Sequence, residues 1–405
     1  MQKSTSFWKA GHKPTLFAAF LYFDLSFMVW VILGPLGVQI SKSLGMTPAQ
    51  KGLMVATPLL AGAMLRIVMG VLVDHVKPRT AGIIGQIVLM LGLLWAWQGD
   101  LSHYETMLVV GMFLGVGGAS FAVALPLASR WYPPEHQGTA MGIAGAGNSG
   151  TAFAALFAPT LAVMVGWQNV FGLCLIPLSV AFVVYLICAK DAPSAPPAKT
   201  LVQYLNILKD KDAWLFMFFY SVTFGGFSGL ASSLSIYFNT QYGLSPVVAG
   251  YFTAGCVFAG SLVRPMGGRI ADRIGGIKTL SIMYALAACF LFVASFGMPT
   301  ATAAVIVFVG AMLSLGTGNG AVFQLVPQRF HKEIGVMTGL VGMAGGVGGF
   351  YLASSLGYSK QLTGSYQVGL IIFGSLAVIA LLGLSSVKNR WRTTWGSAAM
   401  TTAKI

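Results

Sequence analysis

The chain of 405 residues is too apolar for an ordinary soluble domain, because 56% of its residues are hydrophobic, only 8% are charged and its mean hydropathy is +0.78. Its net charge of +14 comes from basic residues that are spread over many loops and form no single patch, which argues against a nucleic-acid partner. The composition therefore indicates a polytopic membrane protein.

Apolar segments of about 20 residues, long enough to cross the hydrocarbon core of a bilayer, recur along the whole chain. We predict twelve of them, near residues 15–40, 51–73, 80–98, 106–129, 139–164, 168–188, 213–238, 248–268, 278–297, 302–325, 335–358 and 366–386. The first has too long an apolar core for a cleavable signal peptide, and no small-residue cleavage site follows it. The predicted fold class is an all-α membrane protein.

The distribution of basic residues predicts the orientation of these spans. If the amino terminus is cytoplasmic, 19 of the 24 Lys and Arg residues lie on the cytoplasmic side, two lie within spans, and only Lys42, Lys51 and Lys360 lie outside. The positive-inside rule then places both termini in the cytoplasm. We expect a monomeric multi-pass protein of the inner cell membrane, in contact with lipid on all sides.

Between the sixth and seventh spans lies the one long inner connection, which opens with a Pro- and Ala-rich stretch typical of a linker. We predict a linker over residues 191–212 that joins two six-helix bundles, residues 1–190 and residues 213–405.

The second span carries an arginine, Arg66, in the middle of an otherwise uncharged helix. A charge at bilayer depth costs about 2.5–3.5 kcal/mol, so such residues usually face a bundle interior or a polar cavity. The motif from Arg66 to Asp74 recurs half a chain later, from Arg264 to Asp272. Two buried arginines at equivalent positions predict one anion held between them, because the guanidinium fork suits planar oxyanions.

Two further motifs repeat between the halves. Residues Gly142 to Gly150, GIAGAGNSG, are echoed by Gly342 to Phe350, GMAGGVGGF, and the motif ending at Phe121 is echoed by the one ending at Phe323. Glycine-rich faces allow close helix packing in lipid. Parallel repeats of six helices with a site at their interface are the layout of the major facilitator transporters.

The loop after the second span, GVLVDHVKPR, and its weaker copy GGRIADRIGG after the eighth, resemble the loop motif of the major facilitator superfamily. The resemblance implies that four charged residues at helix ends act as gating latches on the cytoplasmic side. These are Asp74, Arg79, Asp272 and Arg273.

More narrowly, Arg66 together with both glycine-rich signatures is similar to the nitrate/nitrite porter family, over nearly the whole chain. The eleventh span has Gly348 where the fifth has Asn148, so any amide contact to the anion should come from Asn148 alone. Whether or not Asn148 contacts the anion, the glycines of this signature are expected to allow close helix packing.

Tyr220 and Phe224 in the seventh span are four residues apart and hence share one helix face. An aromatic pair at this spacing is more often core packing than a binding site. The resemblance implies instead that both lie near the anion, with Phe121 supplying the other ring. The Tyr220 hydroxyl would then donate to the anion, and the rings would exclude water and strengthen the arginine contacts.

Of the ten acidic residues, Asp24 alone lies well inside a predicted span. It is either a structural carboxylate, paired with a polar neighbour or with Arg66, or a proton carrier. Importing a monovalent anion against about 100 mV costs roughly 2.3 kcal/mol. An importer must therefore bring protons in or send another anion out, and Asp24 suits the former.

The sequence thus predicts a nitrate importer that works by alternating access, with protons as the coupling ion and a role in nitrate assimilation. Nitrate/nitrite exchange remains the alternative, nitrite remains a possible substrate, and an anion channel or anion-sensing receptor is a third interpretation. The sequence contains no nucleophile triad and no phosphate-binding loop, and its four cysteines occur singly in apolar spans. We therefore expect no enzymatic activity, no catalytic residue, no metal and no cofactor.

Overall fold

A computed structural model describes residues 7–193, 201–330 and 333–394. Within these ranges twelve helices are long and apolar enough to cross a membrane. In chain order α1 to α12 are Lys13–Ser43, Pro48–Val76, Pro78–Gln98, Tyr104–Ser129, Thr139–Val165, Trp167–Cys188, Lys211–Tyr242, Pro246–Ile274, Gly276–Ser295, Ala301–Arg329, Ile334–Thr363 and Gln367–Thr394. Each corresponds to one predicted span, and the predicted all-α fold with twelve transmembrane helices is confirmed.

Several helices extend beyond the predicted spans because polar residues continue the helix past its apolar part. Thr47 and Gln50 form a reciprocal capping box at the start of α2, with Pro48 in the first turn. At the other end of the chain α12 continues to Thr394, well past the predicted end of its span. Hydropathy locates the part of a helix that lies in the membrane, whereas capping residues determine where the helix ends.

The predicted linker lies between α6, which ends at Cys188, and α7, which begins at Lys211. A short helix, Leu201–Ile207, forms part of it. Residues 194–200 of the linker lie outside the described residues. The division of the chain at 190 and 212 stays a prediction.

Four of the long helices are interrupted near the middle of the bundle. In α1 the helical segments Lys13–Trp30 and Leu33–Ser43 meet at a short turn. In α4 and α8 the breaks fall at Ser120 and Val263. In α5 a 3₁₀ turn, Ala146–Ser149, replaces regular helix. Breaks at membrane depth persist only inside the protein or beside a cavity, so these positions face the interior of the bundle.

The helix ends form two faces. The terminal face carries the first described residues and the end of α12, and the far face carries residues 44–47, 243–245 and 364–366. At the far face α2 and α11 meet backbone to backbone, since a Cβ added to Gly52 would lie 2.8 Å from the Cα of Gly357. In the same way, a Cβ on Gly34 of α1 would lie 2.5 Å from the Ser232 carbonyl oxygen of α7. The far face is therefore closed.

The terminal face is open. A cavity of about 940 Å³ extends from Arg264 and Phe323 in the interior to Trp8 and Lys13 near the amino terminus. The bundle is therefore closed at one face and open at the other, and the breaks in α5 and α8 adjoin the cavity, since Ala146 and Arg264 line it.

Candidate functional site

Arg66 lies in the middle of α2 and is only 1% exposed. Its Nε donates to the carbonyl oxygen of Gly118 at 3.0 Å, and its Nη1 donates to the carbonyl oxygen of Gly342. Its Nη2 has no hydrogen-bond partner, and no acidic side chain of the described residues forms an ion pair with it. One nitrogen of this buried guanidinium thus has neither a counter-charge nor a hydrogen-bond partner among the described residues.

Four aromatic rings enclose this guanidinium. Its central carbon lies 5.1 Å from the ring centroids of both Phe121 and Phe224, 5.4 Å from Trp30 and 5.9 Å from Phe27. Rings at such distances attract a desolvated cation, by about 2 kcal/mol or more for a good contact. Sequence reasoning missed Phe27 and Trp30, although their spacing of three residues in α1 places them on one helix face.

Arg264 begins the second segment of α8, directly after the break at Val263. Its Nη2 donates to the hydroxyl oxygen of Tyr220 at 3.2 Å, and its Nη1 is buried without a hydrogen-bond partner in the described part of the chain. Its central carbon lies 5.8 Å from the Phe323 ring centroid. Phe323 was not predicted as a site residue, although the repeat that ends at Phe121 has its copy there.

The Phe121 ring joins the two arginines into one site, because its centroid lies 5.1 Å from the Arg66 guanidinium carbon and 5.9 Å from that of Arg264. Tyr220 stacks on Phe224 with centroids 5.2 Å apart and planes 7° apart. The structure therefore brings five sequence-predicted site residues together. Arg264 lines the cavity, whereas Arg66 lies outside its lining, enclosed by the aromatic rings.

The glycine-rich segment of α11 packs directly against this cluster. A Cβ added to Gly345 would lie 2.8 Å from ring atoms of both Tyr220 and Phe224, which is closer than a real contact allows. A Cβ on Gly346 would lie 2.8 Å from the Cβ of Ala63 in α2. Glycine is needed at these positions so that α11 can approach α2 and α7 while the rings keep their places.

The glycine-rich segment of α5 packs instead on α1. A Cβ on Gly150 would lie 1.7 Å from the carbonyl oxygen of Asp24, so no side chain fits there. Asp24 is 5% exposed, and its carboxylate accepts hydrogen bonds from the Ser149 hydroxyl at 2.7 Å and from the backbone N–H of Gly150. Of the two predicted structural pairings, the polar neighbour is observed; among the described ion pairs none joins Asp24 to Arg66.

Asn148 lies in the 3₁₀ turn of α5 and is 1% exposed. Its carbonyl oxygen accepts a hydrogen bond from the Ser261 hydroxyl of α8 at 3.4 Å, one turn before Arg264. Both atoms of its side-chain amide are buried and lack a hydrogen-bond partner within the described residues. The amide is thus available, but its contact with an anion stays a prediction.

Comparison with known proteins identifies the family. The sequence model of the Major Facilitator Superfamily matches residues 16–353. The chain is 31% identical to the nitrite extrusion protein of Bacillus subtilis, over 88% of this chain and 89% of the relative. It is 32% identical to the probable nitrate/nitrite transporter NarK2 of Mycobacterium tuberculosis, over 88% and 91%, and 33% identical to the probable nitrate transporter NarT of Staphylococcus carnosus, over 90% and 94%. The chain belongs to the nitrate/nitrite porter family of this superfamily.

Membership of the porter family confirms the prediction that the chain is not an enzyme, since superfamily members are transporters. It also confirms a multi-pass membrane protein. In the described ranges no group of three or more His, Cys, Asp or Glu residues is arranged to hold a metal ion.

The predicted latch residues of the porter make different contacts in the two halves. Asp74 at the end of α2 accepts from Arg130 at the end of α4 at 3.1 Å. The Arg79 backbone N–H donates to the Asp191 carboxylate at 2.9 Å, and its guanidinium donates to the Leu186 carbonyl oxygen at 2.9 Å. These contacts join helices of the first bundle to one another and to the start of the predicted linker, and none of them reaches the second bundle.

In the second half Asp272 and Arg273 are both exposed, and Asp272 lines the mouth of the cavity. Neither forms an ion pair with any residue the structure describes. No latch therefore spans the open terminal face between the described helix ends, and the gating role of these residues stays a prediction.

A charge cluster at the terminal end of the second half escaped sequence reasoning. Arg329 of α10 binds Asp210 at 2.5 Å and Asp212 at 2.9 Å, and Asp212 also accepts from Arg390 and from the indole of Trp391. The cluster ties the start of α7 to the ends of α10 and α12. Its members are far apart in sequence and share no motif, so only the fold reveals it.

Proposed function

We propose that the chain transports nitrate and nitrite, and that it binds the anion between Arg66 and Arg264. The observation that carries this proposal is that both guanidiniums lie against the Phe121 ring and each retains a nitrogen without a hydrogen-bond partner among the described residues. Relatives named nitrate and nitrite transporters, at about one-third identity over most of the chain, support the substrate class.

The chemistry of the site favours a flat, trigonal oxyanion. Two guanidinium forks can donate to different oxygens of one planar ion, whereas a spherical ion such as chloride cannot accept two parallel bonds from a fork. The enclosing rings exclude water, which strengthens each charged hydrogen bond. The Tyr220 hydroxyl accepts a hydrogen bond from Arg264, so its own proton would be donated to the anion.

The two faces of the bundle support alternating access. In this conformation the interior communicates with the terminal face through the cavity, and glycine contacts close the far face. With the cytoplasmic assignment of the terminal face by the positive-inside rule, this is the inward-facing conformation. A bundle closed at one face is unsuited to a channel, and saturable flux is expected.

We propose further that nitrate enters with protons and that Asp24 carries the coupling. Asp24 is buried in α1, and α1 also supplies Phe27 and Trp30 to the wall around Arg66. A change of charge on Asp24 would therefore act on a helix that touches the anion site. Exchange of nitrate for nitrite remains the second candidate, favoured by the relative named a nitrite extrusion protein.

The test is transport by the purified protein in proteoliposomes. Nitrate uptake should saturate with concentration, chloride should compete poorly, and an inward proton gradient should drive accumulation without internal nitrite. Uptake that ignores the proton gradient and requires internal nitrite would replace symport with exchange. Nitrate binding without flux would replace transport with a receptor function.

A further inference from the structure

A second, smaller cavity lies on the far face, away from the arginine site. It measures about 30 Å³ and is lined by residues of α2, α7 and α11, together with Tyr366 just before α12. Lys51, from the first turns of α2, and Lys360, from the last turn of α11, both line it. The two lysines belong to different halves of the chain and meet at one cavity.

This cavity is part of the contact between the halves. Next to Lys51, Gly52 meets Gly357 of α11 so closely that a Cβ on Gly357 would lie 2.7 Å from the carbonyl oxygen of Pro48. One turn away, the backbone N–H of Ala49 donates to the Gln361 side chain at 3.0 Å. Because these contacts join the halves, the cavity exists only while the far face is closed.

The cavity holds positive charge without a counter-charge. The Lys360 ammonium donates to the Gly364 carbonyl oxygen at 2.8 Å and lies 5.3 Å from the Tyr366 ring centroid. Lys51 is half-buried and makes no side-chain hydrogen bond or ion pair with a described residue. The lining contains no acidic residue. Lys51 is thus a half-buried ammonium group without a counter-charge among the described residues, and an anion in the cavity would supply one.

An independent observation points to the same ligand. Ser233 of α7 lines the cavity, is 7% exposed, and its hydroxyl has no hydrogen-bond partner in the part of the chain that the structure describes. A buried hydroxyl left unpaired is energetically unfavourable, because it has lost its hydrogen bonds to water. A small anion would accept its proton, and the cavity exceeds the roughly 10–15 Å³ that a single water-sized group requires.

We propose that this cavity is a second anion site, which binds one small monovalent inorganic anion between Lys51, Lys360 and Ser233. Because the cavity forms only when the far face is closed, the bound anion stabilises the closed far face by its own binding free energy. The site is distinct from the transported anion's site and does not depend on the proposed transport activity.

The test uses the full-length protein in lipid nanodiscs, with chloride as the probe. Hydrogen–deuterium exchange is measured in peptides containing the Gly52–Gly357 contact, in chloride and in a bulky organic anion at equal ionic strength. At ten times its dissociation constant, chloride should slow exchange through opening of this contact about tenfold in the wild type. Lys51→Gln and Lys360→Gln should abolish the effect.

Lys42→Gln is the matched control, because Lys42 is an exposed lysine on the same face that does not line the cavity. The Lys42→Gln protein should keep the chloride effect. The charge-conserving Lys51→Arg protein should keep it too, which would show that a loss of the effect in Lys51→Gln comes from the lost charge and not from a folding defect. A wild type that ignores chloride over the whole titration, or a Lys51→Gln protein that responds like the wild type, overturns the proposal. Nitrate uptake by the same preparations is measured separately, so loss of transport alone leaves this inference standing.

Discussion

Replacing Arg66 with lysine should disable the transporter without unfolding it. In the structure Nε and Nη1 are bound to carbonyl oxygens of Gly118 and Gly342, and Nη2 is the nitrogen left for an anion. Lysine keeps the charge but has no rigid fork, so it cannot satisfy both carbonyls and the anion in this geometry. Loss of one charged hydrogen bond, about 1.5–3 kcal/mol, lowers nitrate affinity roughly 10- to 150-fold.

The assay is initial nitrate uptake in proteoliposomes as a function of concentration, normalised to protein content. Arg264→Lys should behave like Arg66→Lys, and the double variant should cost less than the sum of the two because both residues bind one ion. Arg269→Lys is the matched control, since Arg269 lies five residues further along α8, is exposed and lines the mouth of the cavity. If the Arg66→Lys protein has the half-saturation concentration of the wild type, Arg66 does not bind the anion.

Three further substitutions test other parts of the site. Tyr220→Phe should raise the half-saturation concentration for nitrate at least about tenfold, because one hydrogen bond to a charged group is lost. An unchanged value would mean that Tyr220 only packs in the core. Asp24→Asn should abolish accumulation driven by a proton gradient while nitrate/nitrate exchange persists at least in part; accumulation with wild-type pH dependence would make Asp24 purely structural. Gly345→Ala should impair uptake, because its methyl group would lie 2.8 Å from the Tyr220 and Phe224 rings, whereas Gly339→Ala on the same helix, with no atom within 4 Å, should leave uptake unchanged.

The proposed second anion site bears on how the conformational cycle responds to external salt. Lys51 and Lys360 belong to different halves of the chain. An anion bound between them would therefore hold the two halves together at the far face. If the far face is extracellular, as the positive-inside rule predicts, the external anion concentration would bias the porter toward the conformation described here.

The sequence by itself determined the twelve spans and singled out Arg66 as a candidate site residue. A helical span in a bilayer pairs its backbone polar groups within itself, so each crossing needs about 20 mostly apolar residues, and hydropathy reveals such a stretch even where the helix is interrupted inside the protein. A charge inside such a helix is costly, so Arg66 became a candidate site residue without any structure. The repeat between the halves then pointed to Arg264 as its partner.

The tertiary structure alone decided which groups surround these arginines. Association of helices in lipid depends on the fit of their surfaces and not on hydropathy, since the lipid tails are as apolar as the side chains. The sequence therefore could not indicate that Phe27 and Trp30 cover Arg66, or that Asp24 binds Ser149. For the same reason the sequence could not show that Lys51 and Lys360 line one cavity. That follows only from the packing of α2 on α11 at Gly52 and Gly357.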